Sequence, residues 1–314
     1  MTLPLVRKAI FPAAGLGTRF LPVTKAQPKE MLPLVDKPTI QYGVEEAIAS
    51  GIEQVIMVTG GGKRAIVDHF DRSLELEHYL EERGKSDLLH ILAEVDDLSN
   101  QVDIMYIQQK EPLGLGHAVW TARRLVEGES CAVLLADDVI LGGEPCLKQL
   151  IEAHRKTGAT VIAVRRFPRS EIGRYGVVVT NGSKGRTHEV MDMVEKPEPG
   201  TEPSDLAILG RYVLTPAVFA ELERAEPGAG KEIQLTDAIK RILGSHPVVA
   251  YEFEGDYYDT GTVPGYIRAN MMLAMKREGL REELAPFLAE LLEAFGEAGG
   301  SAHLTPRPII KDAQ

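Results

Sequence analysis

The chain has 314 residues, with 35 lysines and arginines against 46 aspartates and glutamates, and its formal net charge is −11. A hydrophobic fraction of 44% and a charged fraction of 26% are typical of a globular protein and exclude a disordered chain. The acidic excess argues against nucleic-acid binding, because neutralising a phosphate backbone requires a basic face. It leaves open a small anionic ligand that a few local cations hold.

Two further features bear on the compartment. The only cysteines are Cys131 and Cys146, which are too few for a disulfide framework. No apolar run approaches the roughly 18–20 residues that a membrane span requires, and the N-terminus does not read as a signal peptide. We therefore expect a cytoplasmic protein that contacts no membrane.

Short apolar runs alternate with helical patterns over the first half of the chain. The predicted strands are Lys8–Ala13, Gln54–Thr59, Asp103–Gln108, Cys131–Ala136 and Ala159–Val164. The predicted helices are Thr39–Ser50, Lys63–Phe70, Leu74–Glu82, His117–Val126 and Cys146–Thr157. These strands are nearly continuous runs of Val, Ile and Leu, as in sheets covered on both faces. The alternation predicts an α/β fold with a mainly parallel sheet and ligands beyond the carboxyl ends of its strands.

The pattern changes after Arg165. Predicted strands at Tyr175–Thr180 and Glu189–Val194 flank the turn residues Asn181–Gly185, which indicates a hairpin. The remaining predictions are strands at Leu206–Leu214 and Val248–Phe253 and helices at Pro216–Arg224, Leu235–Leu243, Thr262–Lys276 and Arg281–Phe295. We interpret residues 1–296 as one α/β domain with an antiparallel insertion that forms the far wall of a cleft, followed by a flexible tail at residues 297–314.

A glycine-rich segment, Ala13–Arg19, follows the first predicted strand. Glycines at that place let backbone N–H groups approach phosphate oxygens, and the guanidinium of Arg19 adds a forked cation. A dinucleotide-binding turn would need glycine where Phe20 stands, so a nicotinamide dehydrogenase is disfavoured. Lys25 and Lys29 follow on a stretch stiffened by prolines, which concentrates positive charge beside the turn in an acidic protein.

A second glycine run, Gly60–Lys63, does not form a Walker loop. Arg64 stands where that loop requires Ser or Thr, and Met57 occupies the place of its first glycine.

Six motifs, taken in order, resemble those of the sugar-1-phosphate nucleotidylyltransferases. They are Gly15–Arg19 with Pro28–Glu30, Gln109 with Pro112–Ala118, Ala136–Val139, Tyr175–Val178, Val194–Pro197 and Tyr258–Thr262. Gly62–Ile66, Asp68–Asp71 and Leu74–Glu77 resemble in particular the bacterial members that use UTP and glucose-1-phosphate. Gly61 departs from the arginine expected there, so any contact by that side chain is absent.

The resemblance implies a Rossmann-like three-layer nucleotidyltransferase fold with a mainly parallel central sheet and an antiparallel sugar-binding insertion. Residues 1–165 would form the nucleotide-binding part and residues 166–262 the sugar-phosphate-binding part. Residues 263–296 would form C-terminal helices that contact other subunits. A homo-oligomer, dimer or tetramer, is therefore expected.

The implied reaction is attack of a glucose-1-phosphate oxygen on the α-phosphorus of UTP, which gives UDP-glucose and pyrophosphate. Such a reaction needs positioning and charge stabilisation rather than acid–base chemistry. The resemblance assigns Arg19 to the leaving β- and γ-phosphates. Lys29 would bridge the α-phosphate and the sugar phosphate, and Lys196 would hold the sugar phosphate from the opposite wall.

The remaining site residues are implied in the same way. The nucleotide contacts are Pro12, Ala13, Ala14, Gly15, Lys25, Glu30, Gln109 and Gly114, and the sugar contacts are Gly176 and Glu195. Mg²⁺ is the implied cofactor, with Asp137 and Asp259 as ligands, because Mg²⁺ prefers one or two carboxylates plus phosphate oxygens. Asp138 should point away from Asp137 on an extended backbone and ranks behind it as a ligand. His117 and Trp120 are interpreted as packing residues.

Two alternatives stay open at this point. The same fold could serve a dTTP:glucose-1-phosphate thymidylyltransferase, since uracil and thymine differ by one methyl group. A noncatalytic sugar-nucleotide-binding regulator is the second, although it would not need the whole charged set.

Overall fold

A computed structural model describes residues 5–228 and 231–297 of the chain. The strands are β1 (Lys8–Ala13), β2 (Pro33–Leu34), β3 (Lys37–Pro38), β4 (Gln54–Thr59), β5 (Asp103–Gln108), β6 (Cys131–Leu134), β7 (Asp138–Leu141), β8 (Thr160–Arg166), β9 (Gly176–Lys184), β10 (Thr187–Glu195), β11 (Leu206–Leu214), β12 (Val248–Glu252) and β13 (Asp256–Asp259). The helices are α1 (Thr39–Ala49), α2 (Arg64–Phe70), α3 (Leu74–Glu82), α4 (Ser86–Gln101), α5 (Leu115–Thr121), α6 (Arg123–Val126), α7 (Cys146–Thr157), α8 (Arg169–Ile172), α9 (Pro216–Glu223), α10 (Leu235–Arg241), α11 (Val263–Lys276) and α12 (Glu278–Glu297). Short 3₁₀ turns lie at Thr18–Phe20, Val23–Lys25 and Lys29–Met31.

A nine-stranded sheet in the order β5-β4-β1-β6-β11-β8-β12-β10-β9 organises the fold. Strands β5, β4, β1 and β6 are parallel, as the strand–helix alternation predicts. Strand β11 runs antiparallel to both β6 and β8, and β9 and β10 form an antiparallel hairpin. Because β11 follows that hairpin rather than a crossover helix, nothing requires it to be parallel to its neighbours. The α/β class is confirmed, with a sheet that is parallel at one end and antiparallel at the other.

Buried apolar side chains cover both faces of the sheet. Ile10 and Ile56 belong to one buried cluster, whereas their chain neighbours Phe11 and Met57 belong to the other. Alternation of this kind follows from the two-residue period of a strand. Helices α1 and α7 pack in the Phe11 cluster and α5, α9 and α10 in the Ile10 cluster, so the fold has three layers.

Several local features differ from the sequence-based expectations. Helix α4 was not predicted, and neither was the short pair of β7 with β13. Strand β9 continues through Lys184, so the hairpin turns at Gly185–Arg186 rather than at Asn181–Gly185. Gly185 has φ of 63°, a left-handed conformation that favours glycine in a tight hairpin turn.

The remaining expectations concern the C-terminal tail and a membrane span. The predicted tail lies outside the described residues from position 298 onward. Within residues 5–228 and 231–297, no helix is long and apolar enough to cross a membrane.

A buried ion pair stabilises the segment that joins β6 to Asp137. Arg211 on β11 is 1% exposed, and its Nε and Nη2 donate to Oε2 of Glu46 on α1 at 3.0 and 2.8 Å. Its Nη1 donates to the carbonyl oxygen of Leu135 at 2.9 Å, and Oε1 of Glu46 accepts from the Leu147 N–H at 2.8 Å. The pair therefore ties α1, α7 and β11 to the residues just before Asp137, with its buried charges compensated by hydrogen bonds.

Candidate active site

Two cavities meet at the carboxyl ends of β1 and β6, where ligands bind in sheets of this kind. The first, called here the loop cavity, has a volume of about 460 Å³ and is lined by Pro12, Ala14, Gly15, Lys29, Gln109 and Gly114. The second, called the insertion cavity, has a volume of about 440 Å³ and is lined by Arg19, Gly176, Glu195, Lys196 and Asp259. Asp137 lines both cavities, so it stands at their junction.

Most of the predicted site residues thus line these two cavities, and three do not. Ala13 is buried in β1, and Lys25 lies exposed on a 3₁₀ turn. Glu30 is 2% exposed, and its Oε2 accepts from Lys63 Nζ at 2.7 Å. That buried ion pair joins the Gly60–Lys63 run to the turn that carries Lys29, so Glu30 holds the turn from behind.

Lys29 and Asp137 form the central contact of the site. Lys29 Nζ donates to Asp137 Oδ2 at 2.6 Å. Burial alone would lower the pKa of Lys29, but the charges of Asp137 and Glu30 raise it above its ordinary value. Burial would likewise raise the pKa of Asp137, but the charge and hydrogen bond of Lys29 hold it below its ordinary value. Both groups therefore stay charged at the junction, a cation and an anion within reach of a bound phosphate.

The loop after β13 brings a second carboxylate to the same place. The N–H and Oγ1 of Thr260 both donate to the carbonyl oxygen of Asp137 at 2.8 Å. A Cβ on Gly261 would stand 3.0 Å from Asp137 Oδ2 and 3.4 Å from Asp259 Oδ1. Glycine at position 261 therefore keeps open a space that both carboxylates face.

Asp137 and Asp259 form a pair of carboxylates that fits a divalent cation bound together with a nucleotide. Among the described residues, no group of three or more His, Cys, Asp or Glu side chains could hold a metal ion. Mg²⁺ is commonly held by only one or two carboxylates, with phosphate oxygens and waters completing six ligands. Asp137 and Asp259 are the residues that would hold it, and the remaining ligands would come from a bound phosphate and water.

Asp138 has a different environment from its neighbour. Its Oδ1 accepts from the Tyr257 hydroxyl at 2.6 Å and its Oδ2 from the Gly210 N–H at 2.8 Å. Burial, with the nearby charge of Asp137, raises its pKa to about 6. Both carboxylate oxygens thus serve to hold β7, β11 and β13 together, which leaves Asp137 as the better candidate for a metal ligand.

Two arginines approach the end of β13 and the loop that follows it. Arg19 Nη1 donates to the carbonyl oxygen of Gly261 at 3.3 Å. Arg174 Nη1 lies 3.7 Å from Asp259 Oδ2 and was not predicted as a site residue. Its position directly before the motif Tyr175–Val178 was the signal that could have indicated it. The insertion cavity therefore has two guanidinium groups near its acidic end.

The far wall presents Glu195 and Lys196 at the end of β10. Glu195 Oε2 accepts from Thr236 Oγ1 at 2.8 Å, and Glu195 Oε1 lies 3.4 Å from Lys196 Nζ. Lys196 has φ of 45°, a strained conformation for a residue other than glycine. Thr236 was not predicted, because only the tertiary fold brings α10 to β10. A Cβ on Gly176 would stand 3.0 Å from Glu195 Oε2 and from Ile208 Cδ1, so glycine at this position lets both side chains pack closely against the backbone.

Comparisons with known proteins show the family to which the chain belongs. A family model described as nucleotidyl transferase matches residues 8–276, which include every residue lining the two cavities. The chain is 55% identical over 287 residues to a UTP–glucose-1-phosphate uridylyltransferase of Bacillus subtilis, covering 91% of this chain and 97% of that relative. A protein of the same name from Staphylococcus haemolyticus is 53% identical over 286 residues, covering 91% of this chain and 98% of that relative.

The chain is also similar to solved structures of UDP-glucose pyrophosphorylases. A UDP-glucose pyrophosphorylase complexed with UDP-glucose has a TM-score of 0.81 at 40% identity, covering 87% of this chain and all of that one. A UTP-bound UGPase from Acinetobacter baumannii has a TM-score of 0.83 at 38% identity, covering 91% of this chain and all of that one.

Proposed function

The chain belongs to the nucleotidyl transferase family, and from that premise we propose that it transfers the uridylyl group of UTP to glucose-1-phosphate, giving UDP-glucose and pyrophosphate. The observation that carries the proposal is the Lys29–Asp137 pair at the junction of the two cavities. A nucleotide in the loop cavity and a sugar phosphate in the insertion cavity would bring their phosphates together at this pair.

The reaction then needs little more than alignment and charge. An oxygen of the sugar phosphate attacks the α-phosphorus of UTP, and the bond from that phosphorus to the bridging oxygen of pyrophosphate breaks. Lys29 would hold the α-phosphate and the incoming phosphate together, and Arg19 would stabilise the charge of the departing pyrophosphate. Lys196 would hold the sugar phosphate from the far wall, while Glu195, oriented by Thr236, would accept hydrogen bonds from sugar hydroxyls. Proton transfer by a side chain is not required.

Magnesium is the proposed metal, held by Asp137 and Asp259. When bound, it would neutralise phosphate charge and orient the phosphates. The division into a nucleotide part at residues 1–165 and a sugar-phosphate part at residues 166–262 remains a proposal. The linings of the two cavities support it. All residues that line the loop cavity except Glu232 belong to the first part, and most residues that line the insertion cavity belong to the second.

A panel of nucleotides tests the proposed function. With glucose-1-phosphate and Mg²⁺ present, we expect rapid pyrophosphate release from UTP and much slower release from ATP, GTP and CTP. A coupled pyrophosphate assay measures all of them, with dTTP included. A clear preference for dTTP would indicate the thymidylyltransferase, and no release from any nucleotide would indicate a noncatalytic binding protein.

The Gly261→Ala variant tests the proposed metal space. The added methyl group would stand 3.0 Å from Asp137 Oδ2, so that carboxylate would have to shift by a few tenths of an ångström. Because a 1 Å displacement at a reacting centre can cost about 100-fold in rate, we expect kcat/KM to fall by up to about tenfold and the Mg²⁺ concentration for half-maximal rate to rise. Gly279→Ala is the matched control, since a Cβ there would contact nothing within 4 Å. Unchanged metal dependence in Gly261→Ala would contradict the assignment.

We also propose that the C-terminal helices contact other subunits in a homo-oligomer. Their exposed apolar side chains support this proposal, and they include Val263, Ile267, Met271, Phe287 and Leu292, each at least 43% exposed. Light scattering should give a dimer or tetramer for the wild type and a smaller mass for an Ile267→Glu, Phe287→Glu variant. A wild type that is monomeric at high concentration would contradict it.

The cytoplasmic location stays a prediction. Fractionation of cells that make the protein would test it.

A further inference from the structure

Gln109, at the edge of the loop cavity, has its side-chain nitrogen held on two sides. Its Nε2 lies 2.8 Å from His117 Nδ1 and 3.3 Å from the carbonyl oxygen of Gly114. The Gln109 residue is 7% exposed, and its side chain lines the cavity proposed for the nucleotide.

These two contacts together determine which way the amide faces. A backbone carbonyl can only accept a hydrogen bond, so the amide nitrogen, and not Oε1, must face Gly114. The reversed amide would set two oxygen acceptors against each other. Because the same nitrogen donates to His117 Nδ1, that ring nitrogen must be unprotonated and the neutral ring must carry its hydrogen on Nε2.

The donor capacity of the Gln109 amide is thereby used within the protein. Both hydrogens of Nε2 have acceptors, and no described residue donates to its Oε1. The amide consequently offers the loop cavity an acceptor and no donor. Beside it, the N–H of Gly114 has no acceptor among the described residues.

The His117 ring is itself held in place on α5. It stacks on the Trp120 ring with centroids 5.9 Å apart and an angle of 28° between the planes. The guanidinium carbon of Arg123 lies 3.4 Å from the centroid of the same indole. The packing role expected for His117 and Trp120 from the sequence is therefore present, and it also holds Nδ1 against Gln109.

We propose that His117 is a positioning residue that sets base specificity, by holding the Gln109 amide so that only its oxygen faces the base. This inference rests on the proposed function, since it assigns the base to the loop cavity. Uracil offers an N3–H donor between two carbonyl acceptors, which complements Gln109 Oε1 and the Gly114 N–H. Cytosine has a lone pair at N3 and an amino group at C4, so the same two protein groups would face like partners.

The test compares UTP, dTTP and CTP in three versions of the full-length protein. His117→Phe keeps an aromatic ring on Trp120 but removes the nearer of the two acceptors of the Gln109 amide. Only the longer 3.3 Å contact to Gly114 would then oppose a turn of the amide toward the base. We expect the ratio of kcat/KM for UTP to that for CTP to fall about tenfold, the effect of one unmatched hydrogen bond. His117→Asn places an amide oxygen near the position of Nδ1 and should stay within about threefold of the wild-type ratio.

Thymine provides an internal control, because its hydrogen-bonding edge matches that of uracil. The UTP-to-dTTP ratio should therefore stay unchanged in every variant. If His117→Phe lowers the rates with UTP and CTP equally, His117 only packs and the inference is overturned. A wild type that releases no pyrophosphate from UTP and glucose-1-phosphate would reject the proposed function itself.

A measurement on the wild type decides the matter if His117→Phe does not fold. Nitrogen NMR of protein labelled with ¹⁵N-histidine distinguishes the two neutral tautomers, and the His117 signals are assigned by their loss in His117→Asn. We expect an unprotonated Nδ1. A hydrogen on Nδ1 would mean that the ring cannot accept from Gln109, and it would overturn the inference.

Discussion

The Lys29→Ala variant is expected to lose about 10²–10³-fold in kcat, which is the usual loss when one preorganised charge is removed from a transition state. Lys29 is the cation at the junction of the two cavities, 2.6 Å from Asp137, and its raised pKa keeps it charged throughout the neutral range. Its proposed partners, two phosphates that approach each other, repel more strongly without it. Steady-state rates of pyrophosphate release measure the effect.

Two further variants show whether charge is the cause. Lys29→Met keeps most of the apolar stem and should lose nearly as much activity as alanine. Lys37→Ala removes an ion pair of similar length, at 2.8 Å to Glu45, but outside the two cavities, so it should retain wild-type activity. A Lys29→Ala protein that is folded by circular dichroism and turns over at a near-normal rate would remove Lys29 from the mechanism.

The Asp137→Asn variant is expected to lose about 10²–10⁴-fold, because a catalytic metal contributes several kcal/mol and each 1.36 kcal/mol is tenfold in rate. The substitution keeps the shape of the side chain but removes the charge that faces Asp259 and pairs with Lys29. Calorimetry should show weaker Mg²⁺ binding in the presence of UTP, which separates loss of the metal from loss of alignment.

Asp138→Asn is the matched variant for this experiment. Its carboxylate accepts from Tyr257 and Gly210 and has no role in the proposed chemistry, so we expect lower thermal stability but less than about tenfold loss of rate. Mg²⁺ binding should remain. If Asp138→Asn loses the metal and Asp137→Asn keeps it, the assignment of the two aspartates is reversed.

Much of the sheet could be predicted because its strands carry a strong local signal. Strands β1, β4 and β5 begin and end at the predicted residues, since runs such as Val55–Val58 are apolar throughout and bounded by polar residues. Helix α4 was missed although its apolar residues Leu88, Ile91, Leu92 and Val95 recur at helical spacing, so a local signal was present in the sequence. The pairing of β7 with β13 places Asp138 opposite Asp259. These residues are far apart along the chain, so no local sequence pattern could predict their pairing.

The candidate site likewise contains residues that the sequence predicted and contacts that only the tertiary structure shows. Motif residues such as Arg19, Asp137 and Lys196 could be selected because the motifs that contain them resemble those of a known family. Asp138 was ranked behind Asp137 on the expectation of an extended backbone, but Asp137 lies in a turn between β6 and β7. The environments of the two side chains therefore differ through tertiary contacts and not through strand alternation. The contacts that tune these residues depend on tertiary neighbours instead, as with Lys63 behind Glu30 and His117 beside Gln109.

The most direct test of the account follows the α-phosphorus itself. Wild-type protein is incubated with Mg²⁺, glucose-1-phosphate and UTP labelled with ³²P at the α-position, and the products are separated by ion-exchange chromatography. We predict that the label appears in UDP-glucose in equal molar amount to unlabelled pyrophosphate. Label in UMP or UDP alone, or no turnover of UTP, would contradict the central claim.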